Sequence, residues 1–255
     1  MSTDDLGDER TSEYTDAEAY DAENCWSADD DFYLALAQEI GDPVLDVGCG
    51  TGRLTRAIAQ AGLEITGFDL SPQMLARARE LSDGLDIDWV HGDVRSMRLG
   101  RRFRLILMTG HAFQHMMTDD DLHAFFERMR EHLVDEGVLA FETRNFAAKT
   151  FGGTPEPTLW HSYEDRAGRW IDVHVGSVYD PETGIEQLTF IDVVRATGDR
   201  TQSTSALRYV SVEQLNRLLR EHGFDVVAQY GDWHKGPLGP AQPEVVTISR
   251  LAARL

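Results

Sequence analysis

The sequence predicts an α/β protein with a doubly wound, mostly parallel sheet of about seven strands. An antiparallel β-sheet is inserted after the fifth strand. Three observations lead to this reading. Short apolar runs alternate with segments of helical periodicity from residue 32 to residue 145. A glycine loop, Gly48-Cys49-Gly50-Thr51-Gly52, follows the first of those runs. Beyond Asn145 the rhythm changes to alternating segments separated by hairpin signals.

Each element has its own reason. From Asp29 a helical pattern carries Phe32, Leu36, Ala37 and Ile40, and ends at Gly41 before Pro43. Residues 44–47 form an apolar first strand that enters the glycine loop. Leu54, Ala57, Ile58 and Ala61 then recur at helical spacing as far as Gly62. Residues 64–68 read as a second strand. Ser71 and Pro72 are an N-cap and first-turn pair for a helix bearing Met74, Leu75, Ala78 and Leu81, closed by Gly84. Residues 87–90 and 103–109 read as the third and fourth strands. Thr118 and Asp121 form a capping box for a helix burying Leu122, Phe125, Phe126, Met129 and Leu133, and 138–143 is the fifth strand.

The inserted sheet is expected from segments 170–179, 186–195 and 203–210. Pro181-Glu182-Thr183-Gly184 and Thr197-Gly198-Asp199 mark the turns between them. Ser211 and Gln214 cap a helix with Leu215, Leu218 and Leu219, ending at Gly223, and 225–230 and 245–251 are the last two strands. The expected divisions are an acidic N-terminal tail and lid (1–31, with 1–12 as the tail proper), a core (32–149), the insert (150–210) and a C-terminal return to the core (211–255).

Charge narrows the classes of partner. The chain has 255 residues, with 44 Asp and Glu against 24 Lys and Arg, a formal charge of −20. Such a charge repels phosphate backbones and anionic lipid, so neither nucleic acid nor membrane is an expected partner. Residues 1–31 contain twelve of the acids and one base, Arg10. Lys149 and Lys235 are the only lysines, a pattern of salt-adapted proteins and also of arginine-favouring, GC-rich genomes. Two cysteines, Cys25 and Cys49, exclude a disulfide scaffold and a four-thiolate zinc site. No apolar run reaches membrane length and no secretory signal opens the chain, so a reduced, cytoplasmic protein is expected.

Chemistry concentrates in Val44-Leu45-Asp46-Val47-Gly48-Cys49-Gly50-Thr51-Gly52-Arg53. Glycines at 48, 50 and 52 let the strand turn sharply and bring bare backbone close to a ligand at a helix start. A dinucleotide fingerprint would place its third glycine at position 53, which is Arg53. The order acid-x-Gly-x-Gly-x-Gly instead resembles the first motif of class I S-adenosylmethionine (SAM)-dependent methyltransferases. Asp69 in Gly67-Phe68-Asp69-Leu70-Ser71 stands where that family receives the two ribose hydroxyls. The resemblance further implies Asp46 orienting the loop through backbone N–H groups and taking the cofactor's amino group, with Leu70 and Met74 flanking adenine. It places Gly92, Asp93 and Val94 near the adenine amino group, and Thr109 and Gly110 near the methionine end. Cys49 belongs to the same loop and reads as a small filler rather than a nucleophile. Tyr20 and Trp26 would contribute to a lid.

The wider plan resembles small-molecule methyltransferases, including sugar-amine N-methyltransferases of antibiotic pathways. An Asn-Pro-Pro-Tyr-type segment, typical of many nucleic-acid base N-methyltransferases, is absent after the fourth strand, which continues Thr109-Gly110-His111-Ala112. The expected reaction is methyl transfer from SAM to a nitrogen or oxygen of a small molecule, leaving S-adenosylhomocysteine. Candidate bases are His111, His115, Glu142 and His174. His111 and His115 also have metal-ligand spacing, yet Ala112 stands where a zinc protease needs Glu and no third ligand is evident, so no metal is expected. His123 and His132 read as surface or boundary residues. The insert, with Trp160, His161, Trp170, His174, Arg208 and Tyr209, is expected to supply an acceptor roof or a homodimer surface. Two rival readings are a nucleotide-cofactor oxidoreductase and a SAM-binding regulatory or scaffold protein without turnover.

Overall fold

The computed structural model describes residues 16–151 and 153–252, so the acidic tail expected over 1–12 lies outside the described residues. In chain order the elements are α1 (Ala17–Glu23), α2 (Ala28–Ile40), β1 (Val44–Val47), α3 (Arg53–Gln60), β2 (Ile65–Asp69), α4 (Pro72–Glu80), β3 (Asp88–His91) and β4 (Phe103–Met108). They continue with α5 (Asp119–His132), β5 (Leu133–Arg144), β6 (Thr158–Glu164), β7 (Trp170–Asp180), β8 (Ile185–Val194), β9 (Arg200–Arg208), α6 (Val212–Glu221), β10 (Phe224–Tyr230) and β11 (Glu244–Leu251). Two compact units result. One comprises Trp26–Lys149 and Tyr209–Leu255; the other joins Thr150–Arg208 to the N-terminal segment ending at Cys25.

The first unit holds a seven-stranded sheet in the order β10-β11-β5-β4-β1-β2-β3. Strands β3, β2, β1, β4 and β5 pair in parallel, and β11 runs antiparallel to both β5 and β10. Order reverses at β1, whose neighbours are β2 and β4. Open α/β sheets bind ligands beyond the strand carboxyl ends at such a reversal. The two-residue strand period sends alternate side chains to opposite faces. Leu45, Val47, Ile106 and Met108 pack with the α5 and α6 residues Phe125, Phe126, Leu215 and Leu219. Val44, Leu105 and Leu107 pack with Tyr33, Leu36, Leu54 and Ile58 of α2 and α3.

The second unit is an antiparallel sheet, β6-β7-β8-β9. Its β7–β8 turn is held by Asp180, which accepts from the Glu182 N–H at 2.9 Å and the Thr183 hydroxyl at 2.8 Å. Strand β6 and helix α1 lie outside the sequence expectation; Asp16 caps α1 by accepting from the Glu18 and Ala19 N–H groups. Strand β5 begins at Leu133, directly after α5, where a shorter strand was expected; Glu136 with φ 60° makes the bend. His132 is buried rather than superficial. Its Nδ1–H donates to the Arg128 carbonyl (2.8 Å) and its Nε2 accepts from the Leu99 N–H (3.0 Å), which requires the neutral imidazole. No helix among the described residues is long and apolar enough to cross a membrane.

Candidate functional site

The glycine loop leaves β1 at the switch point. Gly48, Gly50 and Gly52 have φ of 71°, 55° and 75°, a left-handed backbone that side chains resist. The Gly48 and Cys49 N–H groups donate to the Phe68 carbonyl at 2.8 and 3.2 Å. Close packing adds a second constraint. A Cβ on Gly48 would meet Ala112 Cβ at 3.1 Å, and one on Gly52 or Gly67 would run into the Trp89 ring. Trp89, on β3, thus braces the loop from beside it, a role its position in a short apolar run did not signal.

Two carboxylates flank the loop in different ways. Asp69 ends β2; its Oδ2 accepts from the Gly50 N–H at 2.7 Å and its Oδ1 from the Ser71 N–H at 2.8 Å. Burial raises its carboxyl above the usual range despite those bonds. Each oxygen retains a second lone pair, so the group can still receive hydroxyl protons. Asp46 is 1% exposed and points to the α3 face, where its Oδ2 accepts from the Thr55 hydroxyl at 2.6 Å. The loop amide is therefore held by Asp69 and not by Asp46, because β1 aims Asp46 inward. Asp46 Oδ1 is buried with no hydrogen-bond partner among the described residues. Burial pushes this carboxyl up to about 7, reinforced by the nearby charges of Asp69 and Asp30.

Asp30 was not anticipated in this neighbourhood. It accepts from the Ser27 N–H at 2.9 Å, closing the start of α2, and its other oxygen receives Arg53 Nε at 3.1 Å. The Ser-x-x-Asp spacing at 27–30 was the available signal. Arg53, in the place of a third dinucleotide glycine, is thereby tied back to α2.

The remaining expected cofactor residues follow the strand ends. Leu70 is 55% exposed, with His91 Nε2 2.9 Å from its carbonyl oxygen, while Met74 is buried beneath α4. Gly92 donates its N–H to the Asp69 carbonyl at 3.0 Å. Asp93 caps a short turn, Val94–Ser96, and Val94 is buried. Burial alone would raise the Asp93 carboxyl, but the bidentate Arg95 guanidinium holds it below the ordinary value. Arg95 also reaches Asp121 Oδ1 at 2.9 Å, which ties this turn to the start of α5.

Beyond β4, Thr109 is followed by Gly110 and His111, both with positive φ (67° and 60°). His111 and His115 do not share a helical face: His111 precedes a single 3-10 turn, Ala112–His115, in a left-handed conformation. The His111 N–H donates to Glu142 Oε1 at 2.7 Å, and its Nε2 lies 2.8 Å from Glu244 Oε2. Glu142 is fully buried, its Oε2 taken by the Tyr33 hydroxyl. Burial raises the Glu142 carboxyl, and burial with the adjacent Glu142 charge raises the Tyr33 phenol well above its ordinary value. The carboxyl edge of the sheet thus gathers the loop, Asp46, Asp69, His111, Glu142 and Glu244. Trp26 is exposed, its indole N–H donating to Asp31 Oδ1 at 2.9 Å. Tyr20 on α1 and His174 on β7 belong to the other unit, where His174 Nδ1 is 3.3 Å from the Asp172 carbonyl. Among the described residues no group of three or more His, Cys, Asp or Glu is arranged to hold a metal ion.

Comparison with known proteins agrees with this geometry. Residues 44–137 match the methyltransferase domain family. A dTDP-3-amino-3,6-dideoxy-alpha-D-glucopyranose N,N-dimethyltransferase of Streptomyces fradiae is 35% identical over 153 residues, covering 56% of this chain and 59% of that protein. The dTDP-3-amino-3,4,6-trideoxy-alpha-D-glucopyranose N,N-dimethyltransferase of Streptomyces venezuelae is 27% identical over 184 residues, covering 64% and 76%. In fold, the CcbJ methyltransferase from Streptomyces caelestis superposes with a TM-score of 0.79 at 20% identity, over 89% of this chain and 97% of that one. A SAM-bound amino pentose methyltransferase from Micromonospora echinaspora gives 0.71 at 21% identity, over 92% and 95%. The glycine loop and its two flanking carboxylates thus lie in a stretch that matches a methyltransferase domain, within a fold shared with methyltransferases of known structure.

Proposed function

We propose that the chain transfers a methyl group from SAM to a nitrogen or oxygen of a small molecule, with an amino sugar as the favoured acceptor. The observation that carries the cofactor assignment is Asp46 Oδ1. A buried carboxylate oxygen without a partner is costly, and Asp46 lies two residues before the glycine loop. An amino group donating to that oxygen would remove the cost. Asp69, with lone pairs to spare, suits a pair of ribose hydroxyls, and exposed Leu70 offers an apolar surface for a purine. Relatives that methylate sugar amines support the acceptor class.

The cofactor, when bound, supplies a methyl group already activated on a sulfonium. What remains for the protein is alignment and exclusion of water. The loop is stiffened for alignment by Asp69, Trp89 and the Arg53–Asp30 tie. Arg53 in place of the third glycine weighs against the oxidoreductase alternative, and the sequence match to catalytic relatives weighs against a scaffold without turnover. Calorimetry with S-adenosylhomocysteine and with NADH, followed by a methyl-transfer assay on dTDP-3-amino-3,6-dideoxyglucose, separates the three. The proposal expects binding of the first ligand and a mass increase of one or two methyl groups on the sugar. Affinity for NADH alone would sink it, and cofactor binding without turnover over an acceptor panel would favour the scaffold. We also read the acidic excess as salt adaptation; full refolding stability without added salt would count against that.

A further inference from the structure

We propose that His111 takes the proton lost by the acceptor and that Glu244 is a positioning residue that decides which imidazole nitrogen does so. The inference rests on the methyl-transfer reading above and names the proton path within it.

Backbone, side chain and surroundings all restrain this histidine. His111 sits at φ 60°, ψ 18°, a conformation that a non-glycine residue keeps only when its surroundings hold it there. The hold is visible: its N–H donates to Glu142 Oε1, and Glu142 is locked in the interior by the Tyr33 hydroxyl on its other oxygen. At 1% exposure, and holding the His111 N–H and the Tyr33 hydroxyl, Glu142 serves as a clamp on the His111 backbone rather than as the proton acceptor. The imidazole is half-buried, and its Nε2 is 2.8 Å from Glu244 Oε2 at the start of β11. An ionised carboxylate only accepts, so the neutral imidazole must carry its proton on Nε2 and present a lone pair at Nδ1. Nδ1 has no hydrogen-bond partner among the described residues. The titratable groups facing His111 are Glu244 from β11 and Glu142 from β5, with Tyr33 of α2 behind Glu142.

The chemistry balances as follows. An amine acceptor in its ammonium form has no free electron pair. Loss of one proton to His111 Nδ1 leaves a neutral amine and an imidazolium whose charge Glu244 offsets. The amine's pair then forms the N–C bond to the methyl carbon as the C–S bond breaks, and sulfur keeps that bond's pair. The requirement for deprotonation points to an amine rather than a thioether or an already anionic acceptor.

The test uses the full chain labelled with ¹⁵N-histidine, saturated with S-adenosylhomocysteine, with His111→Gln to assign the signal. Neutral His111 is expected to carry its proton on Nε2. With dTDP-3-amino-3,6-dideoxyglucose as acceptor, Glu244→Gln should lower kcat about tenfold or more with little change in KM. A proton on Nδ1 in the unsubstituted protein, or a kcat unmoved in Glu244→Gln, overturns the proposal. The tautomer reading does not depend on the Glu244→Gln variant folding. A protein with the expected tautomer that methylates no amine would instead overturn the acceptor assignment under the proposed function.

Discussion

The Gly50 N–H donates to Asp69 Oδ2 at 2.7 Å, and through this bond the end of β2 sets the shape of the loop after β1. The carboxylate that suits the ribose is therefore also a structural member of the glycine loop. Asp69→Ala should weaken S-adenosylhomocysteine binding by roughly 1.5–3 kcal/mol, the scale of hydrogen bonds to a charged group, and lower the melting temperature of the ligand-free protein. Calorimetry and thermal melts check both. Unchanged affinity would remove Asp69 from the ribose role, whatever the melting temperature does.

Asp46 should behave in the opposite way toward stability. Its folded carboxyl titrates at about 7 against an unfolded value of 3.8, so the unfolded chain gives up this proton first as pH rises. Its stabilising contribution is complete below 3.8 and is lost as pH rises through about 7. Asp46→Asn removes that loss. The variant should be more stable than the parent at pH 8 in the absence of ligand, yet bind S-adenosylhomocysteine more weakly. Denaturant melts at pH 5 and pH 8 test the first half, and equal losses of stability at both pH values would contradict it.

The Trp89 brace makes a packing prediction. Gly67→Ala places a methyl group against the indole ring, and overpacking of this kind costs about 1–3 kcal/mol. Combining it with Trp89→Leu should recover part of the loss, a coupling that a double-mutant cycle measures. Strictly additive losses would show that the ring does not limit this position.

His132 predicts an acid limb of stability. Burial holds its imidazole below the ordinary value, and its two hydrogen bonds require the neutral form. For a depressed histidine the contribution is present above the unfolded value of about 6.5 and is lost as pH falls through the folded one. His132→Phe leaves the Leu99 N–H unpaired, costing about 1–3 kcal/mol near neutrality, and should flatten the stability slope below pH 6.5. Urea melts between pH 5 and pH 7.5 report both effects.

Local chemistry was legible in the sequence where it is carried by neighbours along the chain. The glycine loop, the Ser71–Pro72 start of α4 and the Thr118–Asp121 capping box all lie within a few residues of the groups they act on. Long-range partners carried no such mark. Tyr33 meets Glu142 across 109 positions and His111 meets Glu244 across 133, so only the packed fold brings those oxygens and nitrogens together. Trp89 fell within a short apolar run whose partner was undefined until β2 and β3 paired. Strand β6 was missed because Thr158–Glu164 mixes polar and aromatic residues without a clean alternation.

The central claim is that the loop between β1 and α3, with Asp46 and Asp69, forms the seat of SAM. Titration of S-adenosylhomocysteine into the full chain by calorimetry tests it most directly, run in parallel on Asp46→Asn and Asp69→Ala. A saturable heat for the unsubstituted chain that weakens in both variants is the expected result. Absence of binding by a folded chain, or equal binding by all three proteins, would contradict it.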